Sequence, residues 1–433
     1  MITAGLALEQ APPFSVPLRF FLTAPLFLLL AAGLLLWQGP DVFTSRWQPA
    51  TLALTHLLTL GFMAQVMLGA LLQILPVVVG VVVPRPRLTA ALIHLPLTLG
   101  TLALAAAFLG GGSSWFQGAA ALLGLGFGVA LLAILIALWR APVANETVIA
   151  LRCALGALLV TIVLGMLLSS VFAWGWSFPL FDLVHLHAGW GLIGWTVLLV
   201  AGVAYQVVPM FQITPPYPAW LRRGFAPLLT VLLAIWSICM LLGWQVVAGW
   251  TSVMLAAAAM LLAGTTLWVL SRRRRKIGDP TLNFWRASMS SLLMGAVLWL
   301  LAPWIPAWAS APQLELLLGV LAIFGFAVAA INGMLYKIVP FLSWFHLQAQ
   351  LFRRVKVPNM KQLLPYTSIQ QQWWSYLVAL LLLLAAVIEP PVFGYPAALA
   401  LGVSSGWLGI NLLRVYRIYD QVLRSAPPLP SAA

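Results

Sequence analysis

Apolar residues run through this chain in blocks of about 20, from residue 17 to about 416, separated by short polar or proline-bearing stretches. A block of that length is what an α-helix needs to cross the hydrocarbon core of a bilayer. The pattern predicts twelve spanning helices, at 17–38, 51–83, 88–109, 117–139, 148–173, 183–213, 226–243, 249–270, 286–304, 314–345, 374–388 and 395–416. The second, sixth and tenth are overlong, and the eleventh is short. Connections are short except between helices eight and nine and between ten and eleven. The latter, 346–373, carries Arg353, Arg354, Lys356, Lys361 and several glutamines, and reads as a surface segment.

The three overlong helices share a phrase. Gly69-Ala-Leu-Leu-Gln73-Ile-Leu-Pro76 returns as Gly202-Val-Ala-Tyr-Gln206-Val-Val-Pro209 and again as Gly333-Met-Leu-Tyr-Lys337-Ile-Val-Pro340, with the glycines 133 and 131 residues apart. One such match means little in so apolar a sequence, but three at matched intervals indicate an internal repeat. Twelve helices divided by three copies gives modules of four, at about 17–139, 148–270 and 286–416. The expected fold is therefore an all-α integral membrane domain, residues 1–433, of about 12 transmembrane helices in three pseudo-repeated four-helix modules. Within the phrase the glycine permits close helix approach, and the proline frees a backbone carbonyl that neighbours must satisfy. Gln73, Gln206 and Lys337 share a position, as kink stabilisers or as parts of a polar pathway.

Composition agrees with the helix pattern. The chain is 63% apolar and 7% charged, with a mean hydropathy of +1.03, which leaves too little charge to coat a soluble domain. The net charge of +14 would suggest nucleic acid if it formed a patch on a soluble face. Instead, 20 of the 22 Lys and Arg fall in or beside the N-terminal segment, the even-numbered connections or the C-terminal tail. Arg272, Arg273, Arg274, Arg275 and Lys276 form the densest run; Arg46 and Lys337 are the exceptions. That asymmetry predicts a cell (inner) membrane protein with both termini cytoplasmic, in contact with membrane lipid, anionic lipid included, and with no nucleic-acid partner. The first block has no small-residue cleavage site behind it and reads as a retained helix. Cys153 and Cys239 lie inside helices and read as buried apolar residues. No phosphate-binding loop or dinucleotide fingerprint occurs, so any chemistry belongs inside the membrane or at its faces.

Five histidines carry the candidate chemistry: His56, His94, His185, His187 and His346. Given the alternating direction of the helices, His56, His185 and His187 lie in the first turns of helices two and six, near the outer face. His94 and His346 fall towards the cytoplasmic side, where a polar ring near headgroups is unremarkable. Ionisable or metal-binding residues inside a membrane segment are costly and mark a functional-site hypothesis. Two histidines facing each other from two helices suit an iron porphyrin, whose axial positions accept imidazole nitrogens. His185 and His187 are about 200° apart around their helix, so either one can face His56 while the other faces elsewhere. Gly189, Gly191 and Gly194 thin that helix, and Trp190 and Trp195 offer flat apolar packing. On helix two, Met63 and Met67 fall about 20° either side of His56 at 100° per residue, a face that suits copper(I) or plain packing.

At these residues the chain resembles subunit I of the heme-copper oxidases and nitric oxide reductases. Leu183-Val-His185-Leu-His187-Ala-Gly-Trp-Gly-Leu-Ile-Gly194-Trp is similar to the His-x-His helix of that superfamily. Thr55-His56-Leu-Leu-Thr-Leu-Gly61-Phe-Met is similar to its second helix, which carries an axial ligand of the low-spin heme. The chain departs from the pattern in having no His-His pair, in carrying His-x-His on helix six rather than ten, and in lacking a histidine near the outer end of helix ten. The resemblance implies a heme b protein without a complete heme-copper centre. The chain is also similar, in size and type, to NnrS-type membrane proteins associated with nitric oxide resistance.

Three functions follow as expectations. The first is a heme-binding membrane protein with His56 and either His187 or His185 as axial ligands, in electron transfer or in nitric oxide- or oxygen-related redox chemistry. An electron-donor protein or quinol would then be its partner. The second is a copper or small-molecule permease that uses the His56, Met63 and Met67 face. The third is an assembly partner of a respiratory complex, present with a second subunit or as a homo-oligomer. Asp182, Glu315 and Glu389 read as solvated charges of the outer loops.

Overall fold

The computed structural model describes residues 8–141, 143–275, 277–305, 311–351 and 354–426, without the side chains of Leu8 and Val78. Lys276 and Arg353, counted above among the basic connections, lie outside the described residues. Among the described residues all regular structure is helical. Twelve helices are long and apolar enough to cross a membrane: α1 Ser15–Phe43, α2 Pro49–Val77, α3 Pro86–Gly111, α4 Ser113–Trp139, α5 Glu146–Trp174, α6 Leu180–Gln212, α7 Ala219–Leu241, α8 Gln245–Ser271, α9 Thr281–Trp304, α10 Pro312–Leu351, α11 Tyr366–Ile388 and α12 Pro390–Ser425. A backbone in lipid must satisfy its own polar groups, and helices do so. The chain is a multi-pass membrane protein, and the even number of described spans puts the start of α1 and the end of α12 on one side, called here the terminal end.

The twelve helices match the sequence expectation in number and order, with ends that differ by up to nine residues; the difference bears most on the connection expected at 346–373. There α10 runs on to Leu351, and α11 begins at Tyr366. The polar run Gln370-Gln371-Gln372 looks like loop in sequence, yet it lies inside α11. Gln372 is buried, and its amide donates to the backbone carbonyl and the hydroxyl of Ser404 in α12.

Helices α2, α6 and α10 are the most enclosed, with 72%, 67% and 61% of their apolar windows buried against 28–56% for the other nine. The remaining helices pack around them: α1 on α12, α3 on α4, α4 on α5, α5 on α7, α7 on α8, α8 on α9, and α11 on α12. Each central helix also carries a π-helical segment, at Leu57–Ala64, Trp190–Val197 and Leu321–Val328. These segments start 133 and 131 residues apart, the intervals of the repeated phrase. The first and the second both pack against the third.

Every one of the three segments holds a glycine followed by an aromatic residue: Gly61-Phe62, Gly194-Trp195 and Gly325-Phe326. A Cβ at Gly194 would meet Ala157 of α5 at 2.9 Å, and one at Gly325 would meet Ser291 of α9 at 2.6 Å. Gly61 is crossed in the same way by Phe27 of α1. Eight residues further on, Gly69, Gly202 and Gly333 face Phe20 of α1, Ala150 of α5 and Phe284 of α9. Small residues let backbones approach where lipid offers no hydrophobic drive between helices. Carbonyls released by the wider π turn find side-chain donors: Tyr376 Oη donates to Phe324 O (2.7 Å) and Ser288 Oγ to Phe326 O (2.8 Å).

Candidate functional site

Buried polar groups need partners, so their partners sort the five histidines. His56 and His187 each stand seven residues into their helices, α2 and α6, at the end of the bundle opposite the terminal end. Both line one apolar cavity of about 1090 Å³. Their ring centres are 6.4 Å apart, with 22° between the planes.

The hydrogen bonds fix which ring nitrogen carries the proton. His56 Nδ1 is 2.7 Å from the Leu52 carbonyl, and His187 Nδ1 is 3.0 Å from the Thr161 carbonyl of α5. A carbonyl oxygen only accepts, so each Nδ1 must donate. In a neutral ring the lone pair then sits on Nε2, and neither Nε2 has a hydrogen-bond partner among the described residues. Holding Nδ1–H on a backbone carbonyl is how proteins orient a histidine that binds metal through its other nitrogen. Gly165 of α5 makes room for His187, since a Cβ there would lie 3.0 Å from His187 Cε1.

His185 lines the same cavity, but its ring is engaged. Arg46 Nη2 donates to its Nε2 at 3.3 Å, and Arg46 Nε lies 3.0 Å from Glu315 Oε2 of α10, an ion pair at the cavity mouth. The His185 lone pair is therefore taken, with a guanidinium beside it. Glu315, expected as a solvated loop charge, belongs to this pair. Arg46, the outlier of the charge pattern, ties together the α1–α2 connection, α6 and α10. His94 Nε2 meets Thr23 Oγ1 at 2.9 Å, and His346 stacks on Phe14 with ring centres 5.5 Å apart. Both sit apart from the cavity.

An aromatic series leads outwards from His56. Phe108 of α3 stacks on it at 5.3 Å, Phe116 of α4 follows at 5.3 Å, and Phe172 of α5 follows at 5.0 Å. All three line the cavity, and Phe172 is 46% exposed. Met63 also lines the cavity, whereas Met67 is buried away from it. The reason is the π turn: i→i+5 bonding advances each residue by less than the 100° of an α-helix, so the face drawn for His56, Met63 and Met67 loses its phase. Of the packing residues expected around the site, Trp195 lines the cavity. Trp190 is held away from it by its indole bond to Ser237 Oγ at 2.8 Å. Trp236 lies over Gly189.

At the terminal end the polar positions of the repeated phrase part ways. Gln73 is buried and Gln206 exposed. Lys337 Nζ donates to Asp279 Oδ2 at 2.5 Å, and Asp279 Oδ1 accepts from Thr281 N and Oγ1 at 3.1 and 2.8 Å. Burial raises the Asp279 carboxyl, but the Lys337 ammonium and the Thr281 hydrogen bonds outweigh it and hold the group below its ordinary value. Asp279 lies 58 residues from Lys337, and nothing in the sequence spacing signals the pair.

The fold and site define a class: a multi-pass membrane protein with two half-used imidazoles on one intramembrane cavity. No protein-family model matches the chain, and no curated protein matches it. Among the described residues no group of three or more His, Cys, Asp or Glu side chains is placed to hold a metal ion.

Proposed function

We propose that this protein binds a heme, of b type, through His56 and His187, and serves electron transfer or nitric oxide- or oxygen-related redox chemistry. The observation that carries the reading is the pair of imidazoles on the 1090 Å³ cavity, each committed at Nδ1 to a backbone carbonyl and uncommitted at Nε2. Two imidazole nitrogens left uncommitted on one apolar cavity suit a shared ligand. His56 and His187 would be the residues that hold the iron, and their ring centres stand 6.4 Å apart. The apolar walls suit the faces of a macrocycle. Bound there, an iron porphyrin would supply a one-electron couple.

The residues of this chain have separable tasks in that reading. Leu52 and Thr161 fix the tautomers, Gly165 gives His187 its place, and Arg46 holds His185 out of competition. We further propose the oxidase-like arrangement of three four-helix modules, supported by the shared intervals of the phrase and the π segments. Cytoplasmic termini and a cell-membrane location follow from the basic connections. A quinol or an electron-donor protein is the proposed partner, and Phe172 marks where an apolar one could approach. The copper-permease reading has less support, because Met67 stands off the cavity that Met63 and His56 share.

The test is the dithionite-reduced minus oxidised visible spectrum of the purified protein. Wild-type protein from heme-replete cells is expected to show b-type Soret and alpha bands, and His56→Ala to lose them. Colourless wild-type protein sinks the reading, and copper analysis of the same sample then tests the permease.

A further inference from the structure

A second charged site lies at the terminal end, far from the histidines. Three cations gather around the ring of Tyr366, at the start of α11, and a fourth lies beside them. Lys337 Nζ is 6.0 Å and Lys361 Nζ 5.4 Å from the ring centre, and Arg275 Nη2 donates to the tyrosine hydroxyl at 3.4 Å. Arg273 joins through Asp279, its Nη2 lying 3.9 Å from Oδ2. Among the described residues, Asp279 is the one carboxylate that any of the four contacts, and Lys337 already holds it. The cluster comes from three places in the chain: the α8–α9 connection, α10 and the α10–α11 connection. Cations converging from separate segments repel one another unless an anion joins them.

The geometry points to a binding site for the phosphate of an anionic phospholipid headgroup, held by Arg275, Lys361 and Lys337 over Tyr366. Depth favours a lipid over a dissolved anion. Lys337 is 25 residues beyond Pro312, about 37 Å along the α10 axis at 1.5 Å per residue. The hydrocarbon core is about 30 Å thick, so its ammonium reaches the headgroup layer. Next to the cluster, Arg272 lies over Trp268, its Cζ 5.5 Å from the ring centre, and that tryptophan is exposed on the lipid-facing surface. Basic pockets between spanning helices bind such headgroups, with each Lys or Arg near the surface contributing about fivefold.

Delipidated full-length protein in neutral detergent would be offered phosphatidylglycerol or phosphatidylcholine, and retained lipid counted by native mass spectrometry. Phosphatidylglycerol is expected to be retained over phosphatidylcholine, and Lys361→Gln and Arg275→Gln each to weaken retention about fivefold. Lys361 is exposed and a safe single variant should Arg275→Gln fold poorly. Arg140→Gln, which removes an exposed arginine at the same end, is expected to change nothing. Equal retention of the two lipids, or an equal loss in Arg140→Gln, overturns the site. Displacement of phosphatidylglycerol by millimolar inorganic phosphate overturns the lipid assignment in favour of a soluble anion. None of these readouts depends on the histidine cavity.

Discussion

Two polar clusters at opposite ends of the bundle are finished in opposite ways. At the terminal end, Asp279 has no exposed side-chain surface, and both its oxygens have partners: Lys337 on one, Thr281 on the other. At the far end, His56 and His187 lie on an apolar cavity with one ring nitrogen bonded and the other bare. Both arrangements hold polar atoms that hydrocarbon would penalise. The first resolves the penalty within the chain, and the second leaves part of it standing on a cavity of macrocycle size.

The strongest way to break this contrast is to empty one histidine position and refill it from solution. His187→Gly removes the imidazole and is expected to abolish the b-type spectrum. Millimolar imidazole added during heme loading is expected to restore most of it, by occupying the space of the lost ring. His185→Ala is expected to keep the spectrum, because His185 Nε2 is taken by Arg46. Loss of the spectrum in His185→Ala equal to that in His187→Gly would falsify the assignment of the pair.

The next effect is on stability. Lys337→Met takes the nearest cation from the buried Asp279 carboxylate and leaves only Arg273 at 3.9 Å; breaking one side of a buried pair costs up to about 3–5 kcal/mol. Asp279→Asn/Lys337→Met removes both charges and is expected to recover most of that, read as the apparent Tm in detergent at pH 7. Neither change is expected to move the heme spectrum, since both lie at the other end. Acid sharpens the point. The folded-state value of Asp279 lies below its ordinary 3.8, so its contribution is whole above that value and lost as pH falls through the lower one. Wild-type Tm is therefore expected to fall more steeply below about pH 4 than that of the double variant. Equal slopes would assign the acid transition to other groups.

The sequence carries the twelve helices, because about 20 apolar residues in a row have few other uses. The repeated phrase picks out α2, α6 and α10, the three most enclosed helices, because close packing needs the same glycine in each. The Gly-aromatic pairs eight residues upstream were equally visible, though only the structure joins them to π turns. Those turns explain why a 100° projection puts Met67 on the His56 face when it lies elsewhere. The choice between His185 and His187 depended on helix rotation, which a two-residue spacing leaves open. Arg46 decides it, yet by charge pattern alone Arg46 is an anomaly. Pairs such as Lys337–Asp279 and Arg46–Glu315 join residues far apart in the chain, beyond the reach of local spacing.

The smallest expected effect tests how tightly the open end is preorganised. A Cβ at Gly165 would stand 3.0 Å from His187 Cε1 and 3.5 Å from Nδ1, so in Gly165→Ala the ring must give by a few tenths of an ångström. Overpacking of that kind costs about 1–3 kcal/mol when nothing can yield; here the ring can tilt, at the expense of its 3.0 Å bond to Thr161 O. The protein is expected to stay loaded, with a shifted Soret band and faster heme loss to apomyoglobin. Gly156→Ala, on the same helix with nothing within 4 Å of the added carbon, is the matched control and should leave both unchanged. If the two variants behave alike, the ring is free to move at that point, and the carbonyl bonds alone set its direction.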